Sequence, residues 1–136
     1  MPSVYVLDSF ALLAYLEGEA GMPRVVSLLT GARQGAYTLY LSLINLGEAL
    51  YITEREQGLI KAQQTLAAIE QLPIVIAPVS RTMVLAAAHI KALYAISYAD
   101  AFAVVIAQDH NGVVVTGDPE FKSVADIVAV EWLPHR

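Results

Sequence analysis

The chain has 136 residues, enough for one domain with one substantial core, and its 57% apolar and 15% charged residues argue against disorder. The absence of cysteine excludes disulfides, thiolate metal sites and a cysteine nucleophile. Thirteen acids against eight Lys and Arg give a net charge of −5, which at face value disfavours a nucleic-acid partner because phosphate binding requires positive charge.

Short β-rich runs and segments with helical spacing alternate along the chain. In chain order they predict a strand at 3–7, helices at 9–17 and 23–34, a strand at 37–42, helices at 43–56 and 59–71, a strand at 74–79, helices at 81–94 and 98–111, and strands at 112–117 and 127–133. Several strand runs are apolar throughout, which is typical of a sheet buried on both faces. We therefore predict an α/β fold: one domain over 1–136, with a mostly parallel central sheet of about five strands and helices on both faces.

Two acids directly follow predicted strands. Asp8 comes after the run SVYVL, and Asp118 comes after GVVVTG. Ligands of parallel α/β sheets bind beyond the carboxyl ends of the strands, so both carboxylates are expected at the functional edge. Each acid also has a structural interpretation as the N-cap of the helix that follows, and Pro119 after Asp118 suits the first helical position.

Two further acids, Glu48 and Asp100, lie on predicted helices. The residues at i−4, i+3 and i+4 from each acid are apolar: Ile44, Tyr51 and Ile52 around Glu48, and Ile96, Ala103 and Val104 around Asp100. This spacing places both carboxylates on the stripe expected to face the core, although Ser97 and Asp100 also resemble a capping box. Carboxylates crowded in low dielectric repel each other unless a divalent ion compensates their charge. Oxygen ligands without a His or Cys cluster favour Mg²⁺ or Mn²⁺ over Zn²⁺.

Four segments follow one another in a specific order and spacing: VLDS at 6–9, INLGEAL at 44–50, YADAFAVVIA at 98–107 and VVTGDPEF at 114–121. With them the chain, from about Val4 to Leu133, resembles the PIN domain family, and within it the VapC-type toxin ribonucleases of prokaryotic toxin–antitoxin pairs. The resemblance implies one acidic pocket that binds Mg²⁺ or Mn²⁺ and hydrolyses RNA phosphodiesters through a metal-activated water. The carboxylates implied as its catalytic and metal-binding groups are Asp8, Glu48, Asp100 and Asp118.

Three residues are implied as supports of this pocket: Ser9, Thr116 and Glu120. The chain departs from the family pattern at two positions. Phe10 stands where a small polar residue is frequent, and Glu120 stands where a further Asp is frequent. The longer side chain of Glu120 bears on whether a second metal binds, and Phe10 removes one potential hydrogen-bond donor near the pocket.

A metal ion would offset the charge of the pocket, so the net charge of −5 is compatible with RNA if a few cations bind phosphate. Arg55 lies seven residues after Glu48 on the same helical face, and Lys122 follows the segment GDPEF. Both are candidate RNA contacts, with a solvated surface charge as the alternative. Because basic residues are few, we expect recognition of RNA shape or of single-stranded loops.

The resemblance implies a cognate antitoxin as a second partner, with a segment that is disordered until it wraps the toxin. The apolar excess predicts a homodimer. No run of about 18 apolar residues occurs, and no basic residue precedes Arg24. We therefore expect no membrane span, no secretory signal and a cytoplasmic protein.

Two alternatives remain open from the sequence. The first is a catalytically silent PIN-like module that binds protein, although such a module has no evident reason to keep Glu48 among apolar residues. The second is a metal-dependent phosphatase with Asp8 as its nucleophile. Such sites use a second Asp two residues later as acid and base, and position 10 is Phe.

Overall fold

A computed structural model describes residues 2–135 of the chain. Its elements are β1 (Val4–Leu7), α1 (Ser9–Leu16), α2 (Met22–Arg33), β2 (Thr38–Ser42), α3 (Leu43–Gln57), α4 (Leu59–Glu70), β3 (Val75–Ala77), α5 (Arg81–Leu93), α6 (Tyr98–His110), β4 (Val113–Thr116), a 3-10 helix (Pro119–Val124) and β5 (Ala129–Trp132). The predicted α/β fold is confirmed. The 3-10 helix was predicted only through the N-cap interpretation of Asp118, because six residues are too few to show a helical periodicity.

The five strands form one sheet in the order β3-β2-β1-β4-β5, and every neighbouring pair is parallel. β1 occupies the centre, and all four of its residues are buried. Such a strand has helices on both of its faces, which is why its sequence is apolar without alternation. The first strand therefore delivers the residue that follows it, Asp8, to the middle of one edge of the sheet.

Each face of the sheet carries its own hydrophobic core. On one face α5, α6 and the 3-10 helix enclose residues such as Val6, Phe102 and Phe121. On the other face α1 to α4 enclose residues such as Leu7 and Leu28. Two cores within one short chain account for its high apolar fraction. α6 is the most deeply enclosed helix, because all residues from 100 to 107 are buried.

The predicted core stripe of α3 was wrong. The residues that α3 buries are Asn45, Leu46, Ala49 and Thr53. Tyr51 of the predicted stripe is 51% exposed, and Glu48 is only half-buried. The apolar period misled because two buried positions are polar and bond locally. Thr53 Oγ1 donates to the carbonyl of Ala49 at 2.9 Å, and the backbone N–H of Asn45 donates to Oγ of Ser42, the N-cap of the helix, at 2.9 Å.

No single helix within residues 2–135 is long and apolar enough to cross a membrane. Taken together, α5 and α6 have the length and composition of a membrane span, but they meet at a bend of 115°.

Candidate metal centre

Three adjacent strands end at the same level, and each end carries a polar residue. Leu7 of β1 pairs with Leu41 of β2 and with Val115 of β4. The next residues along these strands, Asp8, Ser42 and Thr116, are therefore neighbours at the carboxyl edge of the sheet. All three are buried, with at most 1% of each exposed. The edge predicted from the strand order thus holds a row of polar groups.

Asp8 is both an N-cap and a member of this row. Its Oδ1 accepts a hydrogen bond from the backbone N–H of Ala11 at 2.9 Å, and its Oδ2 accepts one from Thr116 Oγ1. Burial raises the pKa of the Asp8 carboxyl well above its usual range, and the charges of Asp100 and Asp118 add to this shift, while the two hydrogen bonds oppose it. The capping interpretation and the site interpretation of Asp8 are therefore compatible.

Asp100 approaches the same edge from the N-terminus of α6. Ser97 caps the helix, since its Oγ accepts from the backbone N–H of Asp100 at 3.2 Å. The Asp100 side chain is only 4% exposed, and its Oδ1 accepts from Asn45 Nδ2 at 3.4 Å. Asn45 in turn accepts from Ser42 Oγ at 2.8 Å. Asn45 was not predicted as a site residue; its signal in the sequence is a polar side chain three positions before Glu48, at the start of the same helix.

The third part of the cluster comes from the segment that follows β4. Asp118 caps the 3-10 helix, because its Oδ1 accepts from the backbone N–H of Glu120 at 2.9 Å. Thr116 Oγ1 accepts from the backbone N–H of Asp118 at 2.9 Å, so Thr116 links the carboxylate of Asp8 to the backbone of Asp118. A single buried hydroxyl therefore holds two of the predicted acids in register.

Asp100, Asp118 and Glu120 each offer a carboxylate oxygen, and these oxygens lie within 4.8 Å of one another. An octahedral Mg²⁺ or Mn²⁺ site has neighbouring ligand oxygens about 3 Å apart and opposite ones about 4 Å apart. The separations of the three oxygens are therefore close to those that such an ion requires. Glu120, assigned only a supporting role from the sequence, is a full member of this group.

Glu48 lies beside the group rather than within it. Its Oε1 accepts a hydrogen bond from Ser9 Oγ, which joins α1 to α3. Glu48 still acts electrostatically on Asp100. The structure thus gathers all four predicted carboxylates and Glu120 at one edge, with Asp8 and Glu48 each engaged by a neighbouring hydroxyl.

Burial raises the pKa of Asp100 to about 7. A hydrogen bond with Ser97 opposes this shift, and the nearby carboxylates of Glu48, Asp118 and Glu120 add to it. Without a cation, Asp100 is therefore largely protonated below neutral pH. A divalent ion among the carboxylates would reverse this effect, because its charge favours their ionised forms.

Comparison with known proteins identifies the family of the chain. The model of the PIN domain family matches residues 5–127. This chain belongs to the PIN domain family. The PIN domain resemblance drawn from the four motifs is confirmed by this match, whose range includes all five carboxylates of the cluster. A comparison of the sequence with curated proteins finds no match.

Solved structures share the fold of this PIN domain over nearly its whole length. One similar structure is that of VapBC2 from Rickettsia felis bound to a DNA fragment from its promoter. Its TM-score is 0.73 and its sequence identity 19%, over 96% of this chain and 99% of that one. VapC20 from Mycobacterium tuberculosis, a Sarcin-Ricin loop cleaving toxin, has a TM-score of 0.75 and 17% identity over the same shares of the two chains. FitAcB from Neisseria gonorrhoeae has a TM-score of 0.68 and 22% identity, over 93% of this chain and 95% of that one.

The two candidate RNA contacts of the PIN domain lie in different surroundings. Lys122 is exposed on the 3-10 helix, two residues beyond Glu120. Arg55 is exposed near the end of α3, and its guanidinium lies over the ring of Tyr51, 5.1 Å from the centroid. Seven residues of helix separate Arg55 from Glu48 by about 10 Å along the axis. Lys122 is therefore the nearer cation to the carboxylates along the chain.

Phe10 of the PIN domain packs against the segment that carries Asp118. A Cβ built on Gly117 would lie 2.5 Å from Phe10 Cζ and would also overlap Cε1. Gly117 therefore allows the Phe10 ring to cover the backbone between Thr116 and Asp118. The residue that departs from the family pattern has a definite structural role here.

We expect Gly117→Ala to destabilise the protein by about 1–3 kcal/mol, because the ring of Phe10 has to move or the Asp118 segment has to shift. Urea unfolding monitored by circular dichroism measures this. The control is Gly47→Ala, an exposed helical position with open space around its Cβ, which should be neutral or stabilising by up to about 1 kcal/mol. Adding Phe10→Leu to Gly117→Ala should recover part of the loss. Equal stability of the two Gly→Ala variants would contradict the packing argument.

Proposed function

We propose that this chain is a cytoplasmic, metal-dependent endoribonuclease, the toxin of a toxin–antitoxin pair. The observation that carries the proposal is the group of Asp100, Asp118 and Glu120, whose carboxylate oxygens lie within 4.8 Å of one another at the carboxyl edge of a PIN domain sheet. Hard oxygen donors of this kind suit Mg²⁺ or Mn²⁺. Among its structural relatives, VapC20 is described as a Sarcin-Ricin loop cleaving toxin, which supports RNA as the substrate.

In this proposal Asp100, Asp118 and Glu120 hold the ion, and Asp8 and Glu48 complete the negative pocket around it. A bound divalent ion supplies polarisation of the scissile phosphate and a lowered pKa for a bound water. Thr116 keeps Asp8 and the Asp118 backbone at a constant separation through its two hydrogen bonds. Asn45 and Ser42 orient Asp100 in the same way.

The structure favours this proposal over a phosphatase with Asp8 as nucleophile. An attacking carboxylate needs a free oxygen that faces the substrate. Asp8 is only 1% exposed, and both of its oxygens accept hydrogen bonds from the protein. A silent module is disfavoured because it has no use for buried carboxyls gathered at one edge of the sheet, where burial and the charge of Asp100 raise the pKa of Asp8.

Purified protein incubated with a hairpin RNA should cleave the loop in Mg²⁺ or Mn²⁺, leaving 5′-phosphate and 3′-hydroxyl ends. EDTA should stop the reaction, because without a cation the carboxylates repel the phosphodiester and cannot neutralise the charge of the transition state. The measurement is a gel time course with end labelling. Cleavage that continues at the same rate in EDTA would rule out the metal mechanism, whatever the RNA.

The toxin assignment rests on the fold shared with VapBC and FitAcB proteins. Induced expression of this chain alone should arrest bacterial growth, and co-expression of a cognate antitoxin encoded beside it should relieve the arrest. Asp8→Asn should also relieve it, while Asp109→Asn, at the exposed far end of α6, should not. A toxic activity would be refuted if cells that express the wild type, Asp8→Asn or Asp109→Asn all grow as well as uninduced cells.

We propose that the chain forms a homodimer, because large apolar side chains remain exposed on several of its elements. Those at least half exposed are Tyr51, Leu59, Ile60, Leu85 and Leu93. A partner surface would remove such side chains from water. Light scattering of the purified protein should then give about twice the chain mass of 14.7 kDa, and a mass of one chain would reject the dimer.

A further inference from the structure

Trp132 is the only tryptophan of the chain, and 44% of it is exposed. It ends β5, the strand at one margin of the sheet. Trp132 pairs in register with Thr116, the residue whose hydroxyl binds Asp8. Neighbouring strands are about 5 Å apart, so the backbone of Trp132 lies one strand from Thr116 and two strands from Asp8 at the same carboxyl edge.

The pleat of the strand places the indole on the face of the acidic cluster. Side chains alternate between the two faces, and the neighbours of Trp132 both point to the face of α2. Glu131 forms an ion pair with Arg24 of α2 at 2.6 Å, and Leu133 belongs to the core on that face. Trp132 therefore points to the opposite face, that of α6 and the 3-10 helix. In β4, Val114 packs on this same face and Val115 on the face of α2, so alternation places Thr116 on the face of Trp132.

This position gives the cluster a large aromatic surface at its margin. The chain has few cations, so phosphate contacts alone supply little attraction for RNA. Stacking of a nucleobase on an indole needs no positive charge, and it requires a base that is free of its own helix. An exposed indole at the same edge of the sheet as the acidic cluster suits an unpaired nucleotide near the phosphodiester bond that the cluster would cleave.

We propose that Trp132 is a base-stacking residue that makes this PIN domain select unpaired RNA next to the cleaved phosphodiester. The proposal rests on the proposed ribonuclease function and names the residue that determines its substrate class. A protein partner on the same indole is the competing possibility, and the experiments below separate the two.

The first experiment uses the single indole as its own reporter. Asp100→Asn protein in Mg²⁺ is titrated with a short single-stranded RNA, and separately with the same RNA fully paired to its complement. Stacking on the indole should quench the tryptophan fluorescence with the single strand and leave it unchanged with the duplex. No quenching by the single strand at concentrations that bind by filter assay overturns the proposal.

The second experiment measures kcat/KM for cleavage of a hairpin loop. Trp132→Leu should lower it about ten-fold or more, while Trp132→Phe should stay within about three-fold of wild type because it keeps an aromatic face. The matched control is Tyr98→Leu, which is also 44% exposed but lies two residues before Asp100, on another side of α6. Tyr98→Leu should cleave like wild type.

A loop RNA with one abasic nucleotide next to the cleaved bond gives a second readout. Wild type should lose activity on it, and Trp132→Leu should show no further loss, because both changes remove the same stacking contact. Wild-type kcat/KM in Trp132→Leu together with a changed mass by light scattering would assign the indole to a protein contact and overturn the proposal. If wild type cleaves no RNA, the ribonuclease function fails, while the fluorescence titration still decides whether Trp132 stacks.

Discussion

Asp100→Asn is expected to lower RNA cleavage in Mg²⁺ by at least about 100-fold, the largest loss we expect from a single substitution in this protein. Asp100 is the member of the cluster that interacts with most of the others. It shares the three-oxygen group with Asp118 and Glu120, and it acts electrostatically on Asp8. Removing its charge therefore weakens the hold of the pocket on a divalent ion more than removing a peripheral acid does.

The matched control for Asp100→Asn is Asp109→Asn, the same substitution at an exposed position near the other end of α6. It should keep wild-type activity. Initial rates over a range of Mg²⁺ concentrations decide the matter, since loss of a metal ligand shifts the half-saturating concentration as well as the maximum. Similar rates for wild type and both variants would show that the acidic cluster is not the site of cleavage.

The second large effect is a loss of stability of the metal-free protein as the pH rises. The pKa of Asp100 is raised from its ordinary value of 3.8 to about 7 in the folded state. Between these values the unfolded chain has lost the proton that the folded protein still binds. Folding then takes up a proton, so the free energy of unfolding falls from about pH 4 to about pH 7 and levels off above it.

The fall from Asp100 alone is up to about 4 kcal/mol, because a tenfold change in proton affinity on folding corresponds to about 1.4 kcal/mol. The raised pKa of Asp8 acts in the same direction. Asp100→Asn should lose less stability over this pH range and be the more stable protein at pH 8 in EDTA. Mg²⁺ should stabilise wild type at pH 8 more than Asp100→Asn, because it binds the ionised carboxylates of the folded state.

Urea unfolding in EDTA at pH 4, 6 and 8 measures both proteins on one scale. Asp109→Asn again serves as the control and should follow wild type. Parallel pH profiles for wild type and Asp100→Asn would contradict the raised pKa of Asp100. If wild type instead became more stable between pH 4 and pH 7, the folded protein would favour the ionised form of the pocket carboxyls over the protonated form.

The sequence by itself determined the order of strands and helices and the parallel sheet. Those features follow from local patterns. Strand runs such as 4–7 carry apolar residues on both faces, and the segments between them have helical spacing. It also placed Asp8 and Asp118 at the carboxyl edge, since a residue directly after a strand has little choice of position. The N-cap roles of Asp8 and Asp118 also follow from their immediate neighbours in the chain, and the structure confirms both.

The family resemblance implied which acids share that edge, whereas the tertiary structure decided the contacts between them. Asp8 and Thr116 are 108 positions apart in the chain, and strand register alone makes them neighbours. Asn45 could not be identified as a partner of Asp100, because nothing near it in the chain reports the packing of α3 on α6. Glu120 joined the metal group because a 3-10 turn after Asp118 aims its carboxylate back at Asp100.

Glu48 and Trp132 illustrate why the sequence alone did not place every residue of the site. A hydrophobic period reports which side of a helix is apolar, but the buried side of α3 contains Asn45 and Thr53, so the period misplaced Glu48. Trp132 read only as part of a strand until its pairing with Thr116 placed it beside the acids. Local patterns encode the elements, whereas the contacts between residues far apart in the chain depend on how those elements pack.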